Sequence, residues 1–485
     1  MNFLSLVFFI FILTFLLVYY ITPRKYRYLV ITIGSYIFYG YTNMKMLLVL
    51  IVITGITYWG GIFIAKKSEK KIYAIFFGAT ILILLGFKYT NFIIQSVNIV
   101  LTKIGLYEKQ LNALNIFLPV GLSFIVFQAC TYLSDVYRER IKPEKNILKY
   151  AAFVAFFPTI LSGPIQKARN LLPQISEPAL FSGERAKKGT IVFVWGCFEK
   201  ILVANNLLVI VNKVYNDYQN YNSAYYVLAA VSFSIYIYAD FSSYSDMARG
   251  LAMLMGINVG KNFNNPYLSC STSEFWNRWH ISLNDWFIDN IYIPLGGNRK
   301  GKIRKYINTL IVFAISGLWH GASYHFIIWG IINGLFVIIG QVLKPLKKAV
   351  YKFTNISEDL ESVKLCKRII VFWLITITWV FFNNGIGESL HIIKNIVFLN
   401  PIKFFDQNLF SISGSVAATF NVIVLTLIFL IVQTKRQNEA LQYKIYSKQP
   451  LLFQTVVIGF IICICVLGAC STDATVNTQF LYFQF

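Results

Sequence analysis

Apolar and polar residues follow one another along this chain in long blocks. Windows of about 20 apolar residues, the length with which a helix crosses a bilayer, recur from end to end, as in 46–65, 416–433 and 451–469. These runs lack the period-two alternation of transmembrane barrel strands. The pattern therefore predicts an all-α, polytopic transmembrane protein.

Hydropathy predicts about twelve spans. Their expected bounds are 2–21, 29–42, 46–65, 72–97, 115–134, 150–162, 189–212, 224–240, 307–343 (two spans, broken near 319–324), 369–384, 415–433 and 451–469.

Two stretches do not behave as simple spans. In 153–173, Pro158 and the pair Gly163-Pro164 interrupt an apolar run, and in 240–249 polar residues crowd between apolar neighbours. Such segments persist at membrane depth only when they are buried in protein or line a cavity. We therefore expect an internal polar chamber.

Composition excludes an ordinary soluble protein, because 13% of the residues are charged against roughly 25% in an average domain. The net charge of +23 comes from basic clusters in short connections, which is typical of cytoplasmic loops and argues against a nucleic-acid partner. Loops such as 24–27 and 435–448 are then cytoplasmic, and both termini are predicted to be extracytoplasmic.

The seven cysteines are scattered without metal-ligand spacing, so no metal is expected.

Histidine is the side chain best suited to proton transfer near neutral pH, and the chain has 4 histidines. His320 lies between two apolar runs, where an ionisable group is a functional hypothesis by default; a structural histidine bonded to a carbonyl is the alternative. Gly317 and Gly321 flank it with little bulk, which leaves room for a ligand. We interpret His325 and His391 as structural.

His280 lies on a predicted amphipathic helix. Ser271 and Glu274 form a possible capping box at its start. Spacing of three and four residues then aligns one aromatic stripe, which consists of Trp276, His280, Leu283 and Phe287. Packing alone would explain a histidine on such a stripe.

Two polar segments are further candidates. In 240–249, Asp246 and Arg249 are spaced to pair on one helix face, and a structural ion pair is the alternative to a site. The turn 292–298 leads into a basic loop, which either faces lipid or binds the phosphates of a nucleotide-like acyl donor.

The last six residues, 480–485, include four aromatic side chains. Such a cluster indicates a binding segment or an aromatic anchor at the membrane interface. The hydroxyl of Tyr482 could also serve as a covalent acyl acceptor.

Four motifs in this order closely resemble the membrane-bound O-acyltransferase family, and within it the alginate O-acetyltransferase branch. They are 240–249, 275–283, 292–297 and 318–322.

The resemblance implies a ring of tilted helices around a central chamber and a tunnel through the membrane. It implies that His320 is the catalytic histidine, that His280 is the second active-site histidine, and that an acyl-CoA-type donor, acetyl-CoA or an acylated carrier protein, enters from the cytoplasm as substrate. We take the neighbouring motif residues as candidates for donor binding or for lining the chamber: Asp240, Asp246, Trp276, Asn277, Arg278, Trp319, Asn298 and Arg299.

The tail is similar to a C-terminal aromatic motif of bacterial cell-envelope acylation systems, which implies that Tyr482 accepts the acyl group and passes it outward. The resemblance to the alginate O-acetyltransferase branch implies a bacterial cytoplasmic membrane, and it implies an extracytoplasmic SGNH-hydrolase-like transferase and the machinery of polysaccharide synthesis as partners. The expected parts are N-terminal helices (1–150), a catalytic core (151–345), C-terminal helices (346–470) and an extracytoplasmic tail (471–485).

Other functions stay open at this point. The enzyme could acylate a polymer or lipid hydroxyl directly, or transfer D-alanine from a carrier protein. A glycan transporter with His320 as proton relay belongs to another class; the chain shows no internal repeat of the kind transporters commonly contain.

Overall fold

A computed structural model of the protein describes residues 1–41, 43–106, 110–398, 407–435, 443, 446–471 and 479–481. These residues form helices joined by turns and loops, and no β-strand occurs among them. Eight helices in this part of the chain are long and apolar enough to cross a membrane. A helix satisfies its backbone hydrogen bonds internally, as a bilayer requires. The predicted all-α, multi-pass membrane architecture is confirmed, whereas the number of about twelve spans stays a prediction.

The chain divides into two compact units, of which the first contains residues 1–190 and 247–260. Its α3 packs against α4 and α5. The helices that begin in this unit are α1 (Leu6–Ile21), α2 (Arg27–Gly40), α3 (Met44–Lys67), α4 (Lys70–Lys103), α5 (Leu122–Tyr137), α6 (Ile147–Val154), α7 (Ala168–Ser176) and α8 (Gly183–Phe198).

The predicted interruption within 153–173 is confirmed. Non-helical residues 155–167 separate α6 from α7, and nearly all of them are buried. The side chain of Gln128 supplies hydrogen bonds that helical neighbours would otherwise make: its amide donates to the carbonyl of Phe153, and its oxygen accepts from the N–H of Gln166 at 3.2 Å. Irregular backbone persists here because polar side chains form hydrogen bonds with its N–H and C=O groups.

The second unit contains residues 191–246 and 261–485. A π-helical segment, Glu199–Ala204, joins α8 to α9. The helices of this unit are α9 (Asn205–Tyr215), most of α10 (Ser223–Leu254), α11 (Thr272–Arg278), α12 (Ile281–Phe287), α13 (Gly301–His320), α14 (Tyr324–Val342), α15 (Lys344–Thr354), α16 (Glu361–Asn383), α17 (Ile386–Val397), α18 (Val416–Lys435) and α19 (Leu451–Ser471).

The predicted end of a span at residue 240 is wrong, because α10 continues through the polar stretch 240–249 to Leu254. The polar side chains there are buried, and several find partners: Ser242 donates to Glu199 at 2.9 Å, and Ser243 donates to a backbone carbonyl of its own helix. The helix therefore does not need to break. The predicted break in 307–343 is confirmed, since residues 321–323 separate α13 from α14. Of these two helices, α14 is among the eight candidate membrane helices, and the assignment of α13 as a span stays a prediction.

Candidate active site

His320 is the last residue of α13, and a glycine contact fixes the position of this helix against α14. A Cβ on Gly317 would lie 2.2 Å from the carbonyl oxygen of Phe326, and a Cβ on Gly330 would lie 2.3 Å from that of Phe313. The two backbones can approach this closely only because both positions are glycine, as is common between membrane helices.

The space beside Gly317 and Gly321 is not free for a ligand. A Cβ on Gly321 would lie 2.0 Å from the ring of Phe326, and the carbonyl of Phe326 covers Gly317. The expectation that these glycines make room for a ligand is therefore wrong. They make room for α14, and a ligand must approach His320 from another side.

Aromatic rings surround the imidazole of His320, which is buried. The ring centroids of Trp319, Trp329 and Phe382 lie 4.8, 5.1 and 5.1 Å from it, with interplanar angles of 77°, 89° and 72°. Edge-to-face packing of this kind restrains the orientation of the ring.

The predicted continuous helix through His280 is wrong. Ser271 caps α11 as predicted, by accepting from the N–H of Glu274, but α11 ends at Arg278 and α12 begins at Ile281. Between them His280 has a φ of 44°, in the left-handed region. Residues other than glycine seldom adopt this conformation, and they often do so at functional sites.

Asn262 holds the turn that contains His280. Its carbonyl accepts from the N–H of Ile281 at 2.9 Å, and its side-chain oxygen accepts from the hydroxyl of Ser282 at 2.8 Å. Its amide nitrogen reaches the hydroxyl of Ser245 on α10 at 3.4 Å. The sequence analysis did not single out Asn262, because a lone asparagine in a loop gives no local signal.

His280 and His320 line one cavity of about 40 Å³ within the second unit. This volume accommodates about three water molecules, which is close to the size of an acetyl group. Although the helix is broken, all four residues of the predicted aromatic stripe line the cavity. Its lining consists of Trp276, Trp279, His280, Leu283, Asn284, Phe287, Val312, Phe313, Ser316 and His320.

Trp276 lines this cavity, and the polar group of its side chain is the indole N–H. It is buried and has no hydrogen-bond partner among the residues that the structure describes. Its ring packs edge to face on Phe313 and Trp329, with centroids 5.6 and 5.5 Å away. An N–H group without a partner can donate a hydrogen bond to an acceptor such as a carbonyl oxygen.

His280 is neutral in the folded protein at physiological pH. Burial lowers the pKa of its imidazole to about 3. The ring of Trp319 lies 5.9 Å from that of His280 and 4.8 Å from that of His320, so this indole lies beside both histidines. A neutral imidazole can donate from one nitrogen and accept at the other.

Several predicted site residues lie outside the cavity lining. Asn277 is exposed, and Arg278 forms an ion pair with Glu274 at 2.6 Å. Asn298 and Arg299 are exposed in the turn before α13. Asp246 is buried within α10. Whether any of these residues contacts a donor stays a prediction.

Asp240 forms a fully buried ion pair with Lys200, whose amino group lies 2.6 Å from the carboxylate. Lys200 and its neighbour Glu199 occupy the π-helical segment, and the sequence analysis missed both. Their signal was present as two charged residues in the middle of the apolar run 189–212, where ionisable groups are unusual.

Among the described residues, no group of three or more His, Cys, Asp or Glu side chains could hold a metal ion. His325 contacts the carbonyl of Phe381 at 2.8 Å, and its structural role stays a prediction. Tyr482 lies outside the described residues.

Comparison with known proteins identifies the family of this chain. The model of the membrane-bound O-acyltransferase family matches residues 137–386, which include both histidines of the cavity.

Among curated proteins, the chain is 34% identical over 439 residues to "Probable alginate O-acetylase AlgI" of Pseudomonas syringae pv. tomato, covering 89% of this chain and 81% of that protein. It is 30% identical over 404 residues to a peptidoglycan O-acetyltransferase of Helicobacter pylori, covering 77% and 74%. It is 26% identical over 231 residues to a teichoic acid D-alanyltransferase of Bacillus subtilis, covering 44% and 57%. The chain belongs to the membrane-bound O-acyltransferase family, and it is an acyltransferase of the alginate O-acetylase type.

Proposed function

We propose that the protein transfers an acetyl group from cytoplasmic acetyl-CoA to Tyr482, for the O-acetylation of an extracellular or cell-wall polysaccharide. The observation that carries the proposal is the shared cavity of His280 and His320 in a member of an O-acyltransferase family. The proposal includes a bacterial cytoplasmic membrane with both termini outside, as the basic loops indicate.

His320 acts as the general base. It takes the proton of the Tyr482 hydroxyl while the phenolic oxygen forms an ester bond with the acetyl carbon and the carbon–sulfur bond of the thioester breaks. The CoA thiolate then takes up the proton from His320. General-base assistance is worth about 10²–10⁴ in rate.

His280 and Trp276 support this step from the same cavity. Neutral His280 provides a hydrogen-bonding group beside the reacting atoms without a competing charge. The indole N–H of Trp276 stabilises negative charge on the thioester oxygen, which is the role of an oxyanion donor.

The acetyl group then leaves for a partner. An aryl ester is a reactive acyl donor, and an extracytoplasmic SGNH-hydrolase-like transferase accepts the group on its nucleophile and regenerates the Tyr482 hydroxyl. Acetyl is preferred over D-alanyl because similarity to the O-acetylating relatives extends over more of the chain than similarity to the D-alanyltransferase.

The test is mass spectrometry of the C-terminal fragment after the purified protein is incubated with acetyl-CoA. We expect one acetyl adduct on Tyr482 in the wild type and none in His320→Ala or Tyr482→Phe. His391→Gln is the matched control, since His391 is an exposed histidine outside the cavity lining, and it should react like the wild type.

Other results would redirect the proposal. CoA release without an adduct would show that the tail is not the acceptor and that a polymer or lipid hydroxyl is acylated directly. An adduct obtained only with a D-alanyl carrier protein would replace acetyl by D-alanyl.

A further inference from the structure

The C-terminal segment 479–481 lies in a buried site of the second unit. Phe480 and Leu481 are 2% and 8% exposed. The N–H of Leu481 donates to the carboxylate of Asp240 at 2.9 Å, and the amino group of Lys200 donates to the carbonyl of Gln479 at 3.3 Å. The segment is therefore held through its main chain on both sides of Phe480.

Phe480 fills the space between these two contacts. Its ring centroid lies 4.8 Å from the amino group of Lys200 and 5.3 Å from the ring of Tyr244, which meets it edge to face. A desolvated cation over an aromatic face is a favourable contact. The two hydrogen bonds recognise an extended backbone, whereas this contact selects an aromatic side chain.

Lys200 and Asp240 are suited to such a role because a buried ion pair is costly on its own. Both side chains are almost completely shielded from solvent, at 0% and 1% exposure. Burial of two charges is compensated only when further hydrogen bonds satisfy their remaining capacity. The tail provides one such bond to each partner.

The surrounding network fixes Lys200 in place. Its neighbour Glu199 accepts hydrogen bonds from Trp195, Ser242 and Gln433, which connects the π-helical segment to α10 and α18. Turns of π-helix are rare and occur frequently at functional sites. The tail therefore lies in a specific binding site, and its contacts are not a chance arrangement.

We infer that Lys200 and Asp240 form a receptor for an aromatic C-terminal segment. This receptor, the clamp, binds the main chain of the segment on both sides of Phe480, and it thereby fixes the position of Tyr482, the residue after Leu481. The statement that the clamp positions an acyl acceptor rests on the proposed function, whereas the docking of the segment does not. Lys200 and Asp240 are positioning residues in this scheme.

The test measures hydrogen exchange of the Leu481 amide by mass spectrometry on the full-length protein, without any acyl donor. We expect at least tenfold faster exchange in Phe480→Ala, which alters only the tail. Phe485→Ala is the matched control, because it removes a tail aromatic outside the segment 479–481 on which the inference rests, and it should keep the protection of the wild type.

A receptor-side variant complements this test. In Lys200→Met/Asp240→Leu both charges are removed together, so that neither is left buried alone; its melting temperature reports whether it folds. A folded double variant should lose protection of Leu481 as Phe480→Ala does. Unprotected Leu481 in the wild type, or unchanged protection in Phe480→Ala, would overturn the inference.

Acetylation assays on the same variants separate the two proposals. If Leu481 is protected through the clamp but Tyr482 is never acylated, the receptor stands and the proposed acceptor fails. If Tyr482 is acylated equally in wild type and Phe480→Ala, the clamp does not position the acceptor and that part of the inference is wrong.

Discussion

The imidazole of His280 and the ring of Phe241 lie 4.7 Å apart, centroid to centroid, with their planes at 80°. Phe241 directly follows Asp240, which accepts the hydrogen bond from Leu481. Two consecutive residues of α10 thus contact the second histidine of the cavity and the C-terminal segment. This helix is the shared support of the candidate chemistry and of the tail.

Replacement of Asn262 should impair catalysis through His280 without unfolding the protein. In Asn262→Ala the side-chain bond to Ser282 is lost, and the left-handed turn at His280 is less restrained. A misplacement of about 1 Å can cost about 10²-fold in rate, so we expect a fall of this size in kcat for CoA release with little change in KM.

Asn262→Asp keeps an accepting oxygen at the same place and should recover most of the activity. Asn258→Ala is the matched control, since Asn258 is an exposed asparagine nearby in the sequence and lies outside the second unit. Equal losses in Asn262→Ala and Asn258→Ala would contradict the positioning role.

Trp276→Phe should keep an aromatic ring in the cavity but remove its N–H donor. Loss of an oxyanion donor costs about 10²–10³ in kcat, and steady-state kinetics of CoA release would measure it. Trp373→Phe is a suitable control, because Trp373 lies outside the cavity lining. If Trp276→Phe kept wild-type kcat, the indole would serve packing alone.

Gly330→Ala should destabilise the contact between α13 and α14. The added Cβ meets the carbonyl oxygen of Phe313 at 2.3 Å, and backbone cannot move aside as a flexible side chain can. Overpacking of this kind costs about 1–3 kcal/mol, which would lower the melting temperature in detergent.

Gly459→Ala provides the comparison, since a Cβ there meets nothing within 4 Å. Alanine favours helix more than glycine does, so the melting temperature of Gly459→Ala should not fall. A melting temperature of Gly330→Ala equal to that of the wild type would mean that the helices separate at little cost.

Acid should destabilise the folded protein through His280. Burial keeps its pKa near 3 in the folded state, below the ordinary value of 6.5, so between these values the unfolded chain binds the additional proton. The free energy of unfolding therefore falls as the pH falls through this window, by at most about 1.4 kcal/mol per pH unit.

Melting temperatures measured across this window should show the effect. His280→Gln removes the titrating group and should give a flatter dependence on pH, whereas the exposed control His391→Gln should keep the slope of the wild type. Identical slopes in His280→Gln and wild type would show that other groups dominate acid sensitivity.

The sequence predicts those structural elements that depend only on the pattern of neighbouring residues. Long apolar runs become helices because a membrane helix satisfies its own backbone, and the break after His320 follows from polar and small residues between two such runs. The stripe from Trp276 to Phe287 lines one cavity as its spacing indicates, even though the helix is broken at His280. His320 could be singled out because it lies between two apolar runs, where ionisable residues are rare, whereas the active-site role of His280 was implied only by the resemblance to the family.

Only the tertiary structure decided which distant residues complete the site. Lys200 pairs with Asp240 across 40 positions, and Leu481 reaches the same carboxylate across 241. The left-handed turn at His280 depends on Asn262, and the glycines beside His320 admit a helix instead of a ligand. The pattern of a sequence specifies local conformation and burial, whereas each of these contacts depends on where the folded chain brings separate segments together.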